Sequence, residues 1–133
     1  MAIADRHGLP NGAWITSASP AEVTLVEDTL DSCFLRRSPD RLIGDRAYDS
    51  DPLDARLRKE RKVEMISPHR SNRKRAKTQD GRVLRRYRRR WKIERVFAWL
   101  KNYRRVNLRH ERHVENFVGF VLLGFACILL RHL

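Results

Sequence analysis

Apolar and polar positions in the first third of the chain predict a hairpin followed by a helix. The apolar residues 1–5 and the segment 13–18 flank a turn cluster, Gly8-Leu9-Pro10-Asn11-Gly12, and predict a β-hairpin. The sequence Ser19-Pro20-Ala21-Glu22 is a capping box with proline at the first helical position, and it predicts a helix to about Leu35. Helical spacing would bury its apolar residues Val23, Val26, Leu30 and Phe34.

Short strands and further helices are predicted along the rest of the chain. Residues 41–44 and 63–67 read as strands, and a helix opens between them at Asp51 as its N-cap and runs to about Arg61. A basic, mobile loop of about residues 69–80 precedes a helical pattern from Asp80 to roughly Tyr103. A last helix covers about residues 113–130. This order predicts an α/β protein with a mixed sheet as its core.

The apolar tail is too short for a membrane span. Residues 117–130 form an uninterrupted apolar run of 14 residues, whereas a spanning helix needs roughly 20. The N-terminus lacks the apolar run of a signal peptide. We therefore expect a buried core helix, no membrane partner and a cytoplasmic location. The two cysteines, Cys33 and Cys127, have no zinc-ligand spacing and predict free thiols, with a disulfide as the alternative.

Charge is distributed unevenly and indicates a polyanionic partner. The 133 residues include 29 Lys and Arg against 16 Asp and Glu, a net charge of +13, while 41% hydrophobic residues argue against wholesale disorder. Residues 1–55 carry 5 basic and 10 acidic side chains, whereas residues 56–112 carry 23 basic and 5 acidic ones. An acidic front half thus precedes a basic belt suited to nucleic acid.

Asp45 is a candidate metal ligand because it directly follows the strand 41–44. A carboxylate at the carboxyl end of a buried strand projects into the crevice beyond the sheet, and Gly44 would let another group approach closely. The alternative is a turn or capping role, which is common for aspartate after a strand. Asp49 and Asp51 fit that alternative better.

Four residues of the next helical segment form a chemically mixed stripe. At 100° per residue, the four fall within an arc of roughly 60°: Tyr87, Arg90, Glu94 and Lys101. Arg90 and Lys92 would keep the single carboxylate of Glu94 ionised, in which state it can bind a hard cation. A solvated basic helix with one stray glutamate is the alternative.

The spacing Tyr-x2-Arg-x3-Glu-x6-Lys resembles the signature of insertion-sequence DDE transposases, of the insertion sequence four/five group. Three further segments resemble that family: Leu42-Ile43-Gly44-Asp45-Arg46-Ala47-Tyr48-Asp49-Ser50, Pro68-His69-Arg70-Ser71-Asn72-Arg73 and Asn102-Tyr103-Arg104-Arg105-Val106. The resemblance covers essentially the whole chain. It implies a single RNase H-like catalytic domain of which residues 1–133 are the C-terminal part.

The resemblance also implies a chemistry for these residues. The family cuts and joins DNA strands with two divalent metal ions, Mg²⁺ or Mn²⁺, held by three carboxylates. Asp45 and Glu94 would be two of those ligands and the catalytic pair. Contacts to transposon-end and target DNA would come from Tyr87, Arg90, Lys101, Arg104 and Arg105, and phosphate contacts of the belt from Arg73, Lys74, Arg75 and Lys77.

One part of the family pattern has no counterpart in this sequence. The family's first Asp lies on the first, central strand, upstream of the hairpin, and Asp5 is not expected to replace it. We therefore expect an incomplete metal site, a gap in the sheet, marginal stability and weak or absent catalysis by this chain alone. An upstream part of the transposase or a second protomer would be its partner.

Two other functions remain open at this stage. The chain could be a non-catalytic DNA-binding remnant or regulator, or an unrelated basic RNA- or ribosome-associated protein. An RNA- or ribosome-associated protein would not need Glu94 within the stripe, so the four-point spacing argues against that function.

Overall fold

The computed structural model describes residues 1–35 and 37–133, which contain helices and two small sheets. These elements belong to two structural units. The hairpin unit comprises Met1–Pro20, Leu25–Phe34 and Trp91–Leu133. The loop unit comprises Ala21–Thr24 and Leu35–Arg90. The expected α/β class is confirmed.

The hairpin unit begins with two antiparallel strands, β1 (Ala2–Ala4) and β2 (Pro10–Ala13), with Ala2 opposite Ala13. The hairpin is confirmed, but its second strand starts earlier than predicted. Residues 5–9 form the turn, because one carboxylate oxygen of Asp5 accepts hydrogen bonds from the amides of His7 (2.8 Å) and Leu9 (2.9 Å). Gly8 supplies the positive φ of 79° that this turn requires.

The first helical segment is shorter than the capping box predicts. A 3₁₀ turn, Glu22–Leu25, leads into α1 (Val26–Asp31). Val26 and Leu30 are buried as predicted, Val23 is half-buried, and Phe34 lies beyond the helix with 46% of its surface exposed. Glu22 is hydrogen-bonded to the hydroxyl of Tyr48.

The core of the hairpin unit lies between α4 (Trp91–Leu100) and α6 (Val114–Leu130), with the short α5 (Arg104–Asn107) connecting them. Its buried members are Val96, Leu100, Val121, Phe125 and Ile128. The predicted C-terminal helix is thus confirmed as a core helix. In the part of the chain that the structure describes, no helix is long and apolar enough to cross a membrane.

The loop unit pairs two parallel strands, β3 (Arg41–Ile43) and β4 (Glu64–Ile66). Between them, α2 (Asp51–Arg56) continues as a π-helical turn, Leu57–Arg61. Ser50 caps α2, because its hydroxyl accepts from the amide of Leu53, so the prediction of Asp51 as the N-cap is wrong by one residue. Leu53, Leu57, Val63 and Ile66 are fully or almost fully buried and form the apolar interior of this unit.

The four described strands form two separate two-stranded sheets in place of the one mixed sheet expected. A side chain occupies part of the free edge of β4. The Gln79 carbonyl oxygen accepts from the Ser67 amide at 3.2 Å, and its amide nitrogen donates to the Met65 carbonyl at 3.2 Å. These backbone groups are therefore satisfied by a side-chain amide rather than by another strand.

The helical run after the basic loop is interrupted. It consists of α3 (Gly81–Leu84), the 3₁₀ segment Arg85–Arg90 and then α4. Asp80 caps α3 by accepting from the amides of Arg82 and Val83. The continuous helix predicted to Tyr103 is therefore wrong, and the four-point stripe spans a change of helical period. Both described cysteines, Cys33 and Cys127, are free thiols and partly buried.

Candidate active site and nucleic-acid interface

Asp45 leaves β3 and caps the 3₁₀ turn Arg46–Tyr48. One carboxylate oxygen accepts from the amide of Ala47 at 2.8 Å, while the other lies 3.8 Å from the Arg90 guanidinium. The carboxylate nevertheless keeps 41% of its surface exposed. The capping alternative is therefore observed, and it leaves one oxygen directed at a cation.

Gly44 is required by a close approach, as the sequence suggested. A Cβ atom there would lie 2.5 Å from Met65 Cε and 2.7 Å from the Tyr48 ring. Burial raises the pKa of Tyr48, and the negative charge and hydrogen bond of Glu22 raise it further. Tyr48 thus stays a neutral donor that fixes the turn after Asp45.

Asp49 organises the basic loop from within. Its carboxylate, with a side chain only 6% exposed, meets the His69 ring at 2.9 Å, the Arg70 amide at 2.8 Å and the Arg73 guanidinium at 2.8 Å. Burial opposes its ionisation, but the Arg70 amide, the His69 ring and the Arg73 charge outweigh this and lower its pKa. Asp49, which lies in the acidic front half, therefore pairs with Arg73 of the basic belt inside the fold.

Arg73 belongs to the same network of hydrogen bonds and ion pairs around Asp49, which we call the loop scaffold. Besides Asp49, its guanidinium donates to Asp51 at 2.7 Å and to the Ala76 carbonyl at 3.0 Å, and its side chain is 10% exposed. The predicted contact of Arg73 with phosphate stays a prediction. Its neighbours at positions 74, 75 and 77 face solvent, namely Lys74, Arg75 and Lys77.

His69 completes the scaffold with both ring nitrogens. Nε2 accepts from the Thr78 amide at 3.1 Å, so the hydrogen on Nδ1 is the one that is donated to Asp49. Sequence reasoning missed Asp49, His69 and Arg70 as the frame of the loop. The sequence signal that could have indicated this network is the presence of an acidic motif in the front half and of a run of cations later in the chain.

Asp54 is a second unusual carboxyl, next to Asp51 on α2. One of its oxygens is buried and has no hydrogen-bond partner among residues 1–35 and 37–133. Burial, followed by the charges of Asp51 and Asp49, raises the pKa of Asp54 to about 6. The folded chain therefore binds this proton more tightly than the unfolded chain does.

Asp54→Asn is expected to stabilise the protein at pH 8 and to leave it unchanged at pH 4. Above about pH 6 the wild-type carboxyl is ionised at an energetic cost, whereas near pH 4 it is already neutral in the folded state. Because the group is only half buried, the gain in melting temperature should be small, roughly 3 °C. Circular dichroism melts at the two pH values measure this.

Asp51→Asn serves as the opposite control for that experiment. Hydrogen bonds from Arg73 and Arg75 lower the pKa of Asp51, so its loss should destabilise the fold at pH 8. Equal melting temperatures of Asp54→Asn and wild type at pH 8 would contradict the assignment.

The four signature residues are divided between the units. Tyr87 and Arg90 lie in the loop unit on the 3₁₀ segment, where the Arg90 guanidinium is 5.6 Å from the Tyr87 ring centre. Glu94, on α4, and Lys101, just after it, lie in the hairpin unit and are exposed. The structure thus brings Arg90 to Tyr87 and to Asp45, which is 45 positions earlier in the sequence.

Cations of α4 also secure the hairpin turn. Lys92 donates its ammonium to the Arg6 carbonyl, and Arg95 donates to the His7 carbonyl at 2.7 Å. The Arg95 guanidinium lies between the rings of Trp91 and Trp99, at 5.0 and 4.7 Å from their centres. From the sequence, Lys92 was expected to act on Glu94 and Arg95 was not singled out, because a structural role for a cation has no signature in a basic run.

The described residues do not fit a divalent metal site as they stand. Among residues 1–35 and 37–133, no three His, Cys, Asp or Glu side chains come together as ligands would. Asp45 has one oxygen in a cap and the other beside the Arg90 guanidinium. A hard cation needs six or more oxygen donors, of which one exposed aspartate supplies at most two.

Comparison with known proteins places the chain in a family. The family described as "Transposase DDE domain" matches residues 1–130. A protein of Burkholderia cepacia named "Putative transposase for insertion sequence element IS402" is 31% identical over 135 residues, covering 96% of this chain and 59% of that relative. This chain thus spans about three fifths of that relative's length.

A second relative matches at higher identity over a shorter stretch. The Brucella ovis protein named "Putative transposase for insertion sequence element IS6501" is 40% identical over 93 residues, covering 68% of this chain and 67% of the relative. No solved structure matches. With a family match that extends from residue 1 to residue 130, the chain belongs to the insertion-sequence transposases with a DDE domain.

Proposed function

We propose that the chain takes part in DNA transposition as the C-terminal part of an RNase H-like catalytic domain. One observation carries this proposal. Asp45, in the segment Gly44-Asp45-x-x-Tyr48-Asp49, lies 3.8 Å from Arg90, the second position of the four-point signature. Two motifs that are far apart in sequence thus meet at the carboxyl end of β3.

In this proposal Asp45 and Glu94 are metal ligands whose further donors come from outside residues 1–133. Mg²⁺ or Mn²⁺, general to the family, would supply the charge that stabilises a reacting phosphate. The chain's own contribution is positional. The Ala47 amide on the 3₁₀ turn holds one oxygen of the Asp45 carboxylate, and the Arg90 guanidinium lies 3.8 Å from the other. The upstream part of the transposase or a second protomer would provide the missing donors.

The proposed DNA contacts follow exposure and charge. Tyr87 and Arg90 would bind near the reacting phosphate, since the guanidinium is suited to bidentate contact. Exposed cations of the two units would bind other backbone phosphates without reading sequence, namely Lys74, Arg75 and Lys77 of the loop unit and Lys101, Arg104 and Arg105 of the hairpin unit.

Neutralising Lys74 and Lys77 together is expected to weaken binding of duplex DNA and reduce its salt dependence. Each lost phosphate contact removes about one unit from the slope of log K against log salt, so the double variant should lose about 2 units. Fluorescence anisotropy with a labelled 30-bp duplex, titrated over a range of NaCl concentrations, measures this slope.

The matched control is Arg58→Gln with Lys59→Gln, which removes the same charge from the exposed π-helical turn after α2. If the slope of log K against log salt falls equally in both double variants, net charge alone explains the effect. That result would contradict a specific role for the loop.

A non-catalytic DNA-binding role is the second candidate, and the side chains around Asp45 favour it for the isolated chain. Because three ligands do not converge in the described residues, we expect no strand cleavage by the chain alone with Mg²⁺ or Mn²⁺. Gel analysis of end-labelled duplex DNA tests this. Cleavage that Asp45→Asn abolishes would show instead that this chain completes its own site.

A further inference from the structure

Helix α5 and the connector from α5 to α6 carry a second concentration of positive charge, within the hairpin unit. Of residues 104–113, which we call the connector patch, four are Arg, two are His and one is acidic. Arg104, Arg109 and Arg112 are exposed, and the Arg105 side chain is 59% exposed. This patch is separate in sequence from the basic loop, which lies in the other unit.

The one acidic residue of the patch is turned inward and holds the connector together. The Glu111 side chain is 7% exposed, and its two oxygens accept from the Arg105 guanidinium at 3.0 Å and the His110 amide at 3.2 Å. Its backbone carbonyl accepts from Arg109 at 3.1 Å. Burial opposes its ionisation, but the amides of Glu111 and His110 and the Arg105 charge outweigh this and lower the pKa of Glu111.

Two arginines of the patch are also held by aromatic rings of α6. The Arg105 guanidinium lies 5.5 Å from the Phe120 ring centre, and that of Arg109 lies 5.5 Å from the ring centre of Phe117. A guanidinium against a ring keeps donors at its edge available while losing less side-chain freedom on binding a phosphate. Arg105 and Arg109 are therefore positioned before any anion arrives.

We propose that the connector patch is a second phosphate-binding surface for duplex DNA, built independently of the basic loop. The choice of duplex DNA as the polyanion rests on the proposed function. The surface extends the phosphate contacts proposed above for Arg104 and Arg105 to Arg109 and Arg112. Glu111 is a positioning residue. The contacts are to phosphate alone, so this surface contributes affinity without sequence preference.

The double variant Arg109→Gln with Arg112→Gln tests the surface in the full chain. With a labelled 30-bp duplex, the slope of log K against log salt should fall in magnitude by about 1.8, and affinity near 100 mM NaCl should fall about tenfold or more. Arg58→Gln with Lys59→Gln is again the control of equal charge. Equal losses in the two double variants, or no loss in the connector variant, would overturn the proposal.

Glu111→Gln distinguishes a positioning role of Glu111 from an effect of net charge alone. The substitution makes the chain more positive, so general electrostatics alone would tighten DNA binding. If Glu111 positions the patch, binding should weaken instead, with an unchanged melting temperature of the core. Tighter binding would overturn the positioning role of Glu111. If Glu111→Gln fails to fold, the arginine double variant still tests whether the patch binds DNA.

The same titration distinguishes this proposal from the one on which it rests. Wild-type protein that fails to bind the duplex at low salt would contradict both. Binding that is weakened by the Lys74 and Lys77 variants but unaffected by the connector variants would contradict the second surface alone.

Discussion

Asp49→Asn is expected to lower the free energy of unfolding by about 3 kcal/mol, because it removes one of the two carboxylates that pair with the nearly buried Arg73 guanidinium. The Asp49 carboxylate binds the His69 ring, the Arg70 amide and the Arg73 guanidinium at the same time. An asparagine can present only one oxygen to these three donors, and its amide group would face one of them. The loop after β4 should then lose its attachment at Asp49, while the contacts of Arg73 and Arg75 with Asp51 on α2 remain.

Urea denaturation and amide hydrogen exchange measure this result. Protection at residues 70–79 should fall in the variant, and Asp28→Asn, an exposed carboxyl on α1, should leave both quantities unchanged. The pH dependence has a defined sign. Because the folded-state pKa of Asp49 is lowered, its stabilisation is present above about pH 4 and is lost as the pH falls through that lower pKa. A variant as stable as wild type at pH 7 would contradict this view of the loop.

Phe125→Ala is expected to destabilise the hairpin unit by about 3–5 kcal/mol, the range for deleting a buried phenylalanine. Phe125 has no exposed surface and lies at the centre of the cluster formed by α4 and α6. Its ring also meets Phe34 edge-to-face at 6.2 Å, a contact that alanine cannot make.

Thermal unfolding followed by circular dichroism checks this value, with Leu123→Ala as the control on the same helix. Leu123 is 59% exposed, so its truncation should cost less than about 1 kcal/mol. A loss at Phe125 as small as that at Leu123 would mean that α6 does not form the core described here.

The elements with strong local signals could be predicted from the sequence. The apolar run that becomes α6 and the strands around Leu42 and Met65 lie where periodicity and turn residues predicted them. The hairpin strand was misplaced because Pro10-Asn11-Gly12 has turn composition, whereas the Asp5 carboxylate builds the turn earlier. Local composition cannot show which of two neighbouring turn signals is used.

The site was predictable in its parts and less so in its connections. A carboxylate after β3 and a signature on a helical segment could be identified, and Arg90 does lie beside Asp45. The ion-pair network of Asp49 could not, because partners 20 or more positions apart leave no local pattern. The 3₁₀ segment Arg85–Arg90 was also missed, since six residues of which five are arginine give no periodic apolar signal.

The Gln79 side chain on β4 has a consequence for the behaviour of the protein at high concentration. Unpaired strand edges recruit strands of other molecules, and this is a common route to aggregation. By occupying the Ser67 amide and the Met65 carbonyl, Gln79 withdraws one donor and one acceptor from such recruitment. An incoming strand must first displace this side chain, so a single glutamine shields the edge of β4 from intermolecular pairing.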